Sequence, residues 1–182
     1  GLFDAFADAC ERIDENGRGG KIRPGSGSAM YYVWLTDESM NIDEPTVGAT
    51  PDGRKEGNPL SANLAPSPGV NTSGPISVLQ SFSKIDYERI CNGGPITLEL
   101  SDTVFNNSDA IQKVAMLIRT FAQLGCQQLQ LNAVNVEKLK EAKKNPELHK
   151  DLIVRVWGWS GYFCELAPEY QNQIIQRNSY QV

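Results

Sequence analysis

The segment Arg155-Val156-Trp157-Gly158-Trp159-Ser160-Gly161-Tyr162-Phe163 sets two glycines among three bulky aromatics and a phenylalanine. A loop of that hydrophobicity is not built for water. It packs into a protein interior, where glycine supplies backbone freedom or room for close approach. On composition alone, a packed aromatic turn accounts for it. The more familiar reactive groups are sparse. His149 is the only histidine, and Cys10, Cys91, Cys126 and Cys164 are far apart, with no C-x-x-C pair. That removes most zinc sites and, unless a second chain lends an imidazole, Ser-His-Asp and Cys-His devices. The thiols read as reduced packing residues. Gly53-Arg54-Lys55 resembles a phosphate cradle only superficially, because the G-x-x-x-x-G-K pattern is missing, and it reads as a turn. Arg155 is placed to pair with a carboxylate or to anchor the aromatic loop. Gln130 and Asn132, on the polar side of a strand, are candidates for hydrogen bonds that position that loop.

The chain that must place these residues has 182 of them, 40% hydrophobic, with a net charge of −5. A single domain of this size buries roughly 70% of its extended-chain surface, enough for a core without staples. The acidic balance argues against nucleic acid or an anionic membrane as the main partner. No apolar run reaches the ~20 residues of a membrane span. Residues 1–11 lack a basic stretch followed by an apolar one, so the chain reads as cytoplasmic.

Leu2, Phe3, Phe6, Ala9, Cys10 and Ile13 recur at helical spacing and predict an amphipathic helix over 2–16, closed by Gly17. Residues 29–35 form an apolar and aromatic run of strand length. Residues 37–74, rich in proline and in turn pairs such as Asp52-Gly53 and Pro68-Gly69, predict a long loop. Loops of that length are functional or wrap a larger body. Residues 76–82 and 96–100 read as short strands separated by a helical turn at 86–91. Ile111, Val114, Ala115, Ile118, Phe121 and Ala122 then make one apolar helical face, with Ser108 to cap its start and Gly125 its end. Leu129, Leu131 and Ala133 alternate with Gln128, Gln130 and Asn132 in a strand. A helix over 136–144 follows, capped by Asn135 and stopped by Pro146, with a solvated lysine face from Lys138 to Lys144. Residues 153–156 read as a last short strand, and Pro168 opens a terminal helix carrying Tyr170, Ile174 and Ile175. This alternation predicts an α/β architecture with a largely parallel sheet.

The aromatic loop gains meaning from its order of residues. Ile153-Val154-Arg155-Val156-Trp157-Gly158-Trp159-Ser160-Gly161 resembles the glycyl radical signature, in which Arg-Val-x-Gly precedes an aromatic and two small residues. The family is the glycyl radical enzymes, similar to pyruvate formate-lyase and its dehydratase, lyase and decarboxylase relatives. The flanks Asn145-Pro146-Glu147 and Pro168-Glu169-x-Gln171-x-x-Ile174-Ile175-x-Arg177 resemble the family's ending. Upstream, Gly48-Ala49-Thr50-Pro51-Asp52-Gly53-Arg54-Lys55, Gly74-Pro75-x-Ser77-Val78-Leu79 and Gln130-x-Asn132-x-Val134 fit it as well. Trp157 stands where many members carry Ser, Ala or Cys, and Trp159 where Tyr is commoner; Gly158 is intact.

The resemblance implies an α/β fold that is the C-terminal portion of the family's barrel, with the radical loop inserted toward the barrel centre. It makes 1–182 one C-terminal segment, with a helix, a strand and the long loop in 1–74, barrel elements in 75–145 and the glycyl radical domain in 146–182. Gly158 becomes the radical residue, and Arg155, Val156, Trp157, Trp159, Ser160 and Gly161 its loop. A backbone-centred radical is stabilised between an electron-donating amide nitrogen and an electron-withdrawing carbonyl once the Cα is planar, and glycine alone leaves that planarity unhindered. The implied partner is a radical S-adenosylmethionine activating enzyme that removes the hydrogen. No bound cofactor or metal is implied. The radical then generates a thiyl on a cysteine of a facing loop. Cys91 and Cys164 do not resemble that loop, so the thiyl cysteine is expected upstream, in the remainder of a longer enzyme that is homodimeric when whole. The class is an anaerobic lyase, dehydratase, decarboxylase or acyltransferase, inactive as this fragment. Two alternatives remain: a free-standing replacement subunit that repairs an oxygen-damaged partner, and a non-catalytic scaffold.

Overall fold

The computed structural model describes residues 1–13, 15, 17–25, 36–37, 42–43, 48–58, 60–61, 63–68, 70, 72–102, 108–156, 158–177 and 179–180. The strand expected over 29–35, and Trp157, lie outside them.

Helix α1 (Leu2–Glu11) is shorter than its apolar periodicity predicted. It buries Ala7 and Cys10, while Leu2, Phe6 and Ile13 stay exposed. The Arg89 guanidinium holds it by pairing with Asp8 at 2.8 Å and Glu11 at 2.9 Å. A small antiparallel ladder follows, β1 (Thr36–Asp37) on β2 (Ile42–Asp43). The Pro51-Asp52-Gly53 turn is then braced from within. Arg54 donates to the carbonyls of Gly48, Lys55 and Asn58, and the Thr50 hydroxyl donates to Asp52. Arg54 therefore grips its own backbone, as a turn reading requires.

Residues 76–82, expected as a strand, instead lie in helix α2 (Pro75–Phe82). Pro75 at the first helical position brings a preset φ, and Gly74 supplies the positive φ of 89° that turns the chain into the helix. Val78 and Leu79 are buried, and Phe82 packs beside them. So short an apolar run fits either period, and the proline at its start decides for helix. A 3-10 turn, Tyr87–Arg89, comes next, with the Asp86 carboxylate accepting from the Glu88 amide.

Strand β3 (Pro95–Ser101), helix α3 (Ser108–Gln123) and strand β4 (Gln128–Val134) form a β–α–β unit. β3 and β4 are parallel, in register from Pro95 opposite Gln128 to Ser101 opposite Val134. Helix α4 (Val136–Lys144) is capped by Asn135, whose side chain accepts from the Lys138 amide at 2.9 Å, and a 3-10 turn at Pro146–Leu148 ends it. Strands β5 (Ile153–Arg155) and β6 (Ser160–Tyr162) form an antiparallel hairpin, so 153–155 is neither the last strand nor a member of the parallel sheet. A 3-10 turn at Phe163–Glu165 and helix α5 (Pro168–Gln176) lead to β7 (Ser179–Tyr180), which the sequence did not suggest. β7 pairs parallel with β3, giving the order β4-β3-β7.

Mixed α/β architecture and parallel pairing are thus present, as an open three-stranded sheet rather than a closed barrel among the described residues. The face of α3 differs from expectation. Leu117 is 2% exposed, whereas Ile111 and Ile118 are 52% and 48% exposed. The stripe that packs is Ala110, Val114, Leu117 and Phe121, which keeps Val114 and Phe121 of the predicted face and has Ala110 and Leu117 in place of Ile111 and Ile118. α3 is apolar over a wide arc, and the sheet covers only one side of it. Two cores result: one between α2, β3 and α3, the other joining α4, the hairpin and α5 through Leu139, Ala142, Val154, Val156, Phe163 and Ile174. Among the described residues no helix is long and apolar enough to cross a membrane.

Candidate functional site

Gly158 stands at the tip of the β5–β6 hairpin. Arg155 is opposite Ser160 and Val154 opposite Gly161 in the ladder. The Val156 amide donates to the Trp159 carbonyl at 2.9 Å and closes the tip. Alternation along the ladder sends Val154 and Val156 into the second core, so that the hairpin is rooted by its apolar residues. Gly158 has φ +79°, and a Cβ built on it would meet no atom within 4 Å among the described residues. Gly161 is glycine for another reason: a Cβ there would sit 2.7 Å from Cζ3 of Trp159, whose ring lies against it.

Among the described residues the tip is not enclosed. Gly158 is exposed, and Trp159 and Tyr162 are 42% and 46% exposed. Among the described residues the root of this loop is packed, because alternate residues point to the core, and the tip is exposed.

Arg155 contacts its own loop and strand β4: Nη1 donates to Ser160 Oγ at 3.2 Å and Nε to Gln130 Oε1 at 3.4 Å. The anchoring reading of Arg155 thus fits the geometry. Gln130 in turn donates to Asn132 Oδ1 at 3.5 Å, and Asn132 Nδ2 donates to Glu99 Oε1 at 2.8 Å. The structure therefore brings Gln130, Asn132, Arg155 and Ser160 together under the hairpin.

At the end of that chain of contacts is a group that sequence reasoning did not single out. Glu99, on the central strand β3, is 4% exposed and pairs with Arg177 at 2.9 Å. Arg177 Nη1 also donates to the Arg155 carbonyl at 2.8 Å and Nη2 to the Val156 carbonyl at 2.7 Å. Its Nε donates to Gln173 Oε1 at 3.0 Å, and Gln171 donates to the Phe163 carbonyl at 3.0 Å. A signal existed for these residues. Glu99 interrupts an otherwise apolar and hydroxyl strand, and Gln171 and Gln173 fall on buried positions of a short helix, where polar groups require partners.

Of the four thiols Cys10 and Cys126 are buried and Cys164 is partly buried, as packing residues should be, whereas Cys91, expected to pack as well, is exposed at the turn before β3. Cys164 Sγ donates to the His149 carbonyl at 3.3 Å, and burial, aided by Asp151, Glu147 and Glu165, pushes its pKa up, which keeps it protonated. Cys126 is buried in the first core, and that burial raises its pKa too. Among the described residues no group of three or more His, Cys, Asp or Glu is placed to hold a metal.

Residues 60–164, more than half the chain, match the family described as "Glycine radical". The chain is 35% identical over 152 residues to the "Probable dehydratase YbiW" of Escherichia coli, covering 82% of this chain and 19% of that protein. It is 36% identical over 187 residues to the isethionate sulfite-lyase of Oleidesulfovibrio alaskensis, covering 99% of this chain and 22% of that protein. Among solved structures, the glycerol-bound B12-independent glycerol dehydratase of Clostridium butyricum superposes with a TM-score of 0.81 at 32% identity, covering 97% of this chain and 21% of that one. The chain belongs to the glycyl radical enzyme family. It spans about a fifth of the length of the curated relatives it matches.

Proposed function

We propose that this chain is the C-terminal radical-storage segment of an anaerobic, pyruvate formate-lyase-like glycyl radical enzyme, with Gly158 as the radical residue. Arg155, Val156, Trp157, Trp159, Ser160 and Gly161 form its loop. The observation that carries the reading is Gly158 itself, at the exposed tip of a hairpin whose root is fastened, with no atom among the described residues within 4 Å of a Cβ built on it.

A radical S-adenosylmethionine activating enzyme removes one hydrogen atom from the Gly158 Cα, which becomes planar between its donating amide nitrogen and withdrawing carbonyl. In turnover that Cα takes a hydrogen atom from a cysteine in the remainder of the enzyme. The glycine C–H bond is remade, and one thiyl is left to abstract hydrogen from substrate. The rest of a barrel would cover the tip and slow the access of oxygen. Because the named relatives are two dehydratases and a sulfite-lyase, elimination from a small polar substrate is the favoured reaction class over acyl transfer.

The test is anaerobic treatment of the full-length enzyme with its activating enzyme. An EPR doublet from the remaining α-hydrogen is expected, and air should then break the chain at Gly158, giving two fragments by mass spectrometry. A silent spectrum and an intact chain, with an activating enzyme that works on a relative, would overturn the assignment.

A further inference from the structure

The β5–β6 hairpin and the parallel sheet are separate ladders, yet the root of the hairpin is tied to the sheet's central strand by one guanidinium. Arg177 follows α5 and precedes β7, whose Ser179 lies opposite Glu99, so the backbone itself brings Arg177 to β3. Its three nitrogens are all used. Nε goes to Gln173, Nη1 to Glu99 and the Arg155 carbonyl, and Nη2 to the Val156 carbonyl. Asn132 holds the same carboxylate oxygen, Glu99 Oε1, at 2.8 Å. Glu99 is buried and Arg177 partly so, with side chains 4% and 9% exposed. Such a pair is weak evidence for stability, because the attraction only offsets the loss of water. Its geometric content is larger. A planar fork with fixed donor directions specifies where its acceptors lie, and two of those acceptors are consecutive main-chain oxygens that end two residues before Gly158.

We propose that Arg177 and Glu99 are positioning residues for the radical: the guanidinium, oriented by Glu99 and Gln173, fixes the Arg155 and Val156 carbonyls and so sets where Gly158 stands relative to β3. The proposal rests on Gly158 being the radical residue. Hydrogen-atom transfer needs the donor and acceptor atoms about 3–3.5 Å apart, and a misplacement of about 1 Å lowers a rate roughly a hundredfold. An exposed hairpin tip cannot hold such a tolerance unless its root is fixed. Lysine at 177 would keep the charge and lose the fork.

The test uses the full-length enzyme carrying Arg177→Lys or Glu99→Gln. Before activation, hydrogen exchange is followed in the amides of residues 154–162 and of β3 and β4. After activation, the doublet is followed as a water-soluble radical scavenger such as hydroxyurea is added. Both substitutions are expected to speed exchange about ten- to hundredfold in the hairpin alone, and to quicken quenching of the doublet about tenfold, as loss of charge-assisted hydrogen bonds implies. Glu99→Gln keeps the side chain's shape and carries the same criterion if Arg177→Lys does not fold. Hairpin exchange that is unchanged, or accelerated equally in β3 and β4, overturns the proposal, as does unaltered quenching. A wild-type enzyme that gives no doublet refutes the Gly158 reading and with it the radical role of the clamp, whereas a normal wild-type doublet with indifferent variants refutes the clamp alone.

Discussion

Among the described residues no atom meets a Cβ built on Gly158, so what favours glycine there in the structure is the positive φ, and the proposed radical role adds a chemical reason. Gly158→Ala is therefore expected to fold, with a loss of about 1 kcal/mol from a left-handed alanine. The EPR doublet should vanish all the same. Calorimetry beside EPR checks the pair of outcomes, and gross unfolding would contradict the open geometry. Gly161 is the opposite case, since its missing side chain makes room for the Trp159 ring. The family was legible in the sequence because the residues around Gly158 are distinctive. The partners of the hairpin root were less so: a buried glutamate is unusual enough to notice in the strand, but nothing along the chain says that an arginine 78 residues away meets it.

Elements were legible where period and end signals agreed. Helix α4 begins at its Asn135 cap and stops before Pro146, and β4 matches the alternation of leucine with glutamine and asparagine. They failed where the apolar content fitted two answers. Residues 76–82 suit a strand or a helix, and α3 has two adjoining apolar stripes of which the sheet selects one. That selection is measurable. Leu117→Ala should lower stability by about 2–5 kcal/mol, the usual effect of emptying a packed site. Ile118→Ser, one residue along on the exposed stripe, should stay within about 0.5 kcal/mol. Urea denaturation compares the two directly, and similar losses would show that the stripes are assigned wrongly. β7 escaped notice because two residues carry no period; its place is fixed by the helix before it and by the free edge of β3.

At the scale of the whole molecule, pH reports on the first core. Burial pushes the Tyr87 phenol from its ordinary 10 up to about 12, and its hydroxyl donates to the Phe82 carbonyl at 3.1 Å. An unfolded chain releases that proton near pH 10 while the folded chain keeps it, so unfolding frees a proton and stability falls as pH rises from about 10 toward 12. Below that window the group contributes no slope. Tyr87→Phe should flatten the fall in denaturation midpoint between about pH 10 and 11.5 without abolishing it, since Cys126 and Tyr170 are pushed up by burial as well. An unchanged slope would count against the buried phenol. The grip of Arg177 has a further consequence. Because it takes hold of main-chain oxygens, it is blind to the identity of the side chains it carries, and the aromatic residues around Gly158 can be exchanged to suit a different pocket while the anchorage of the tip stays the same. On the proposed reading, reach and wrapping are set by separate parts of the chain, so a change of substrate need not disturb where the radical carbon stands.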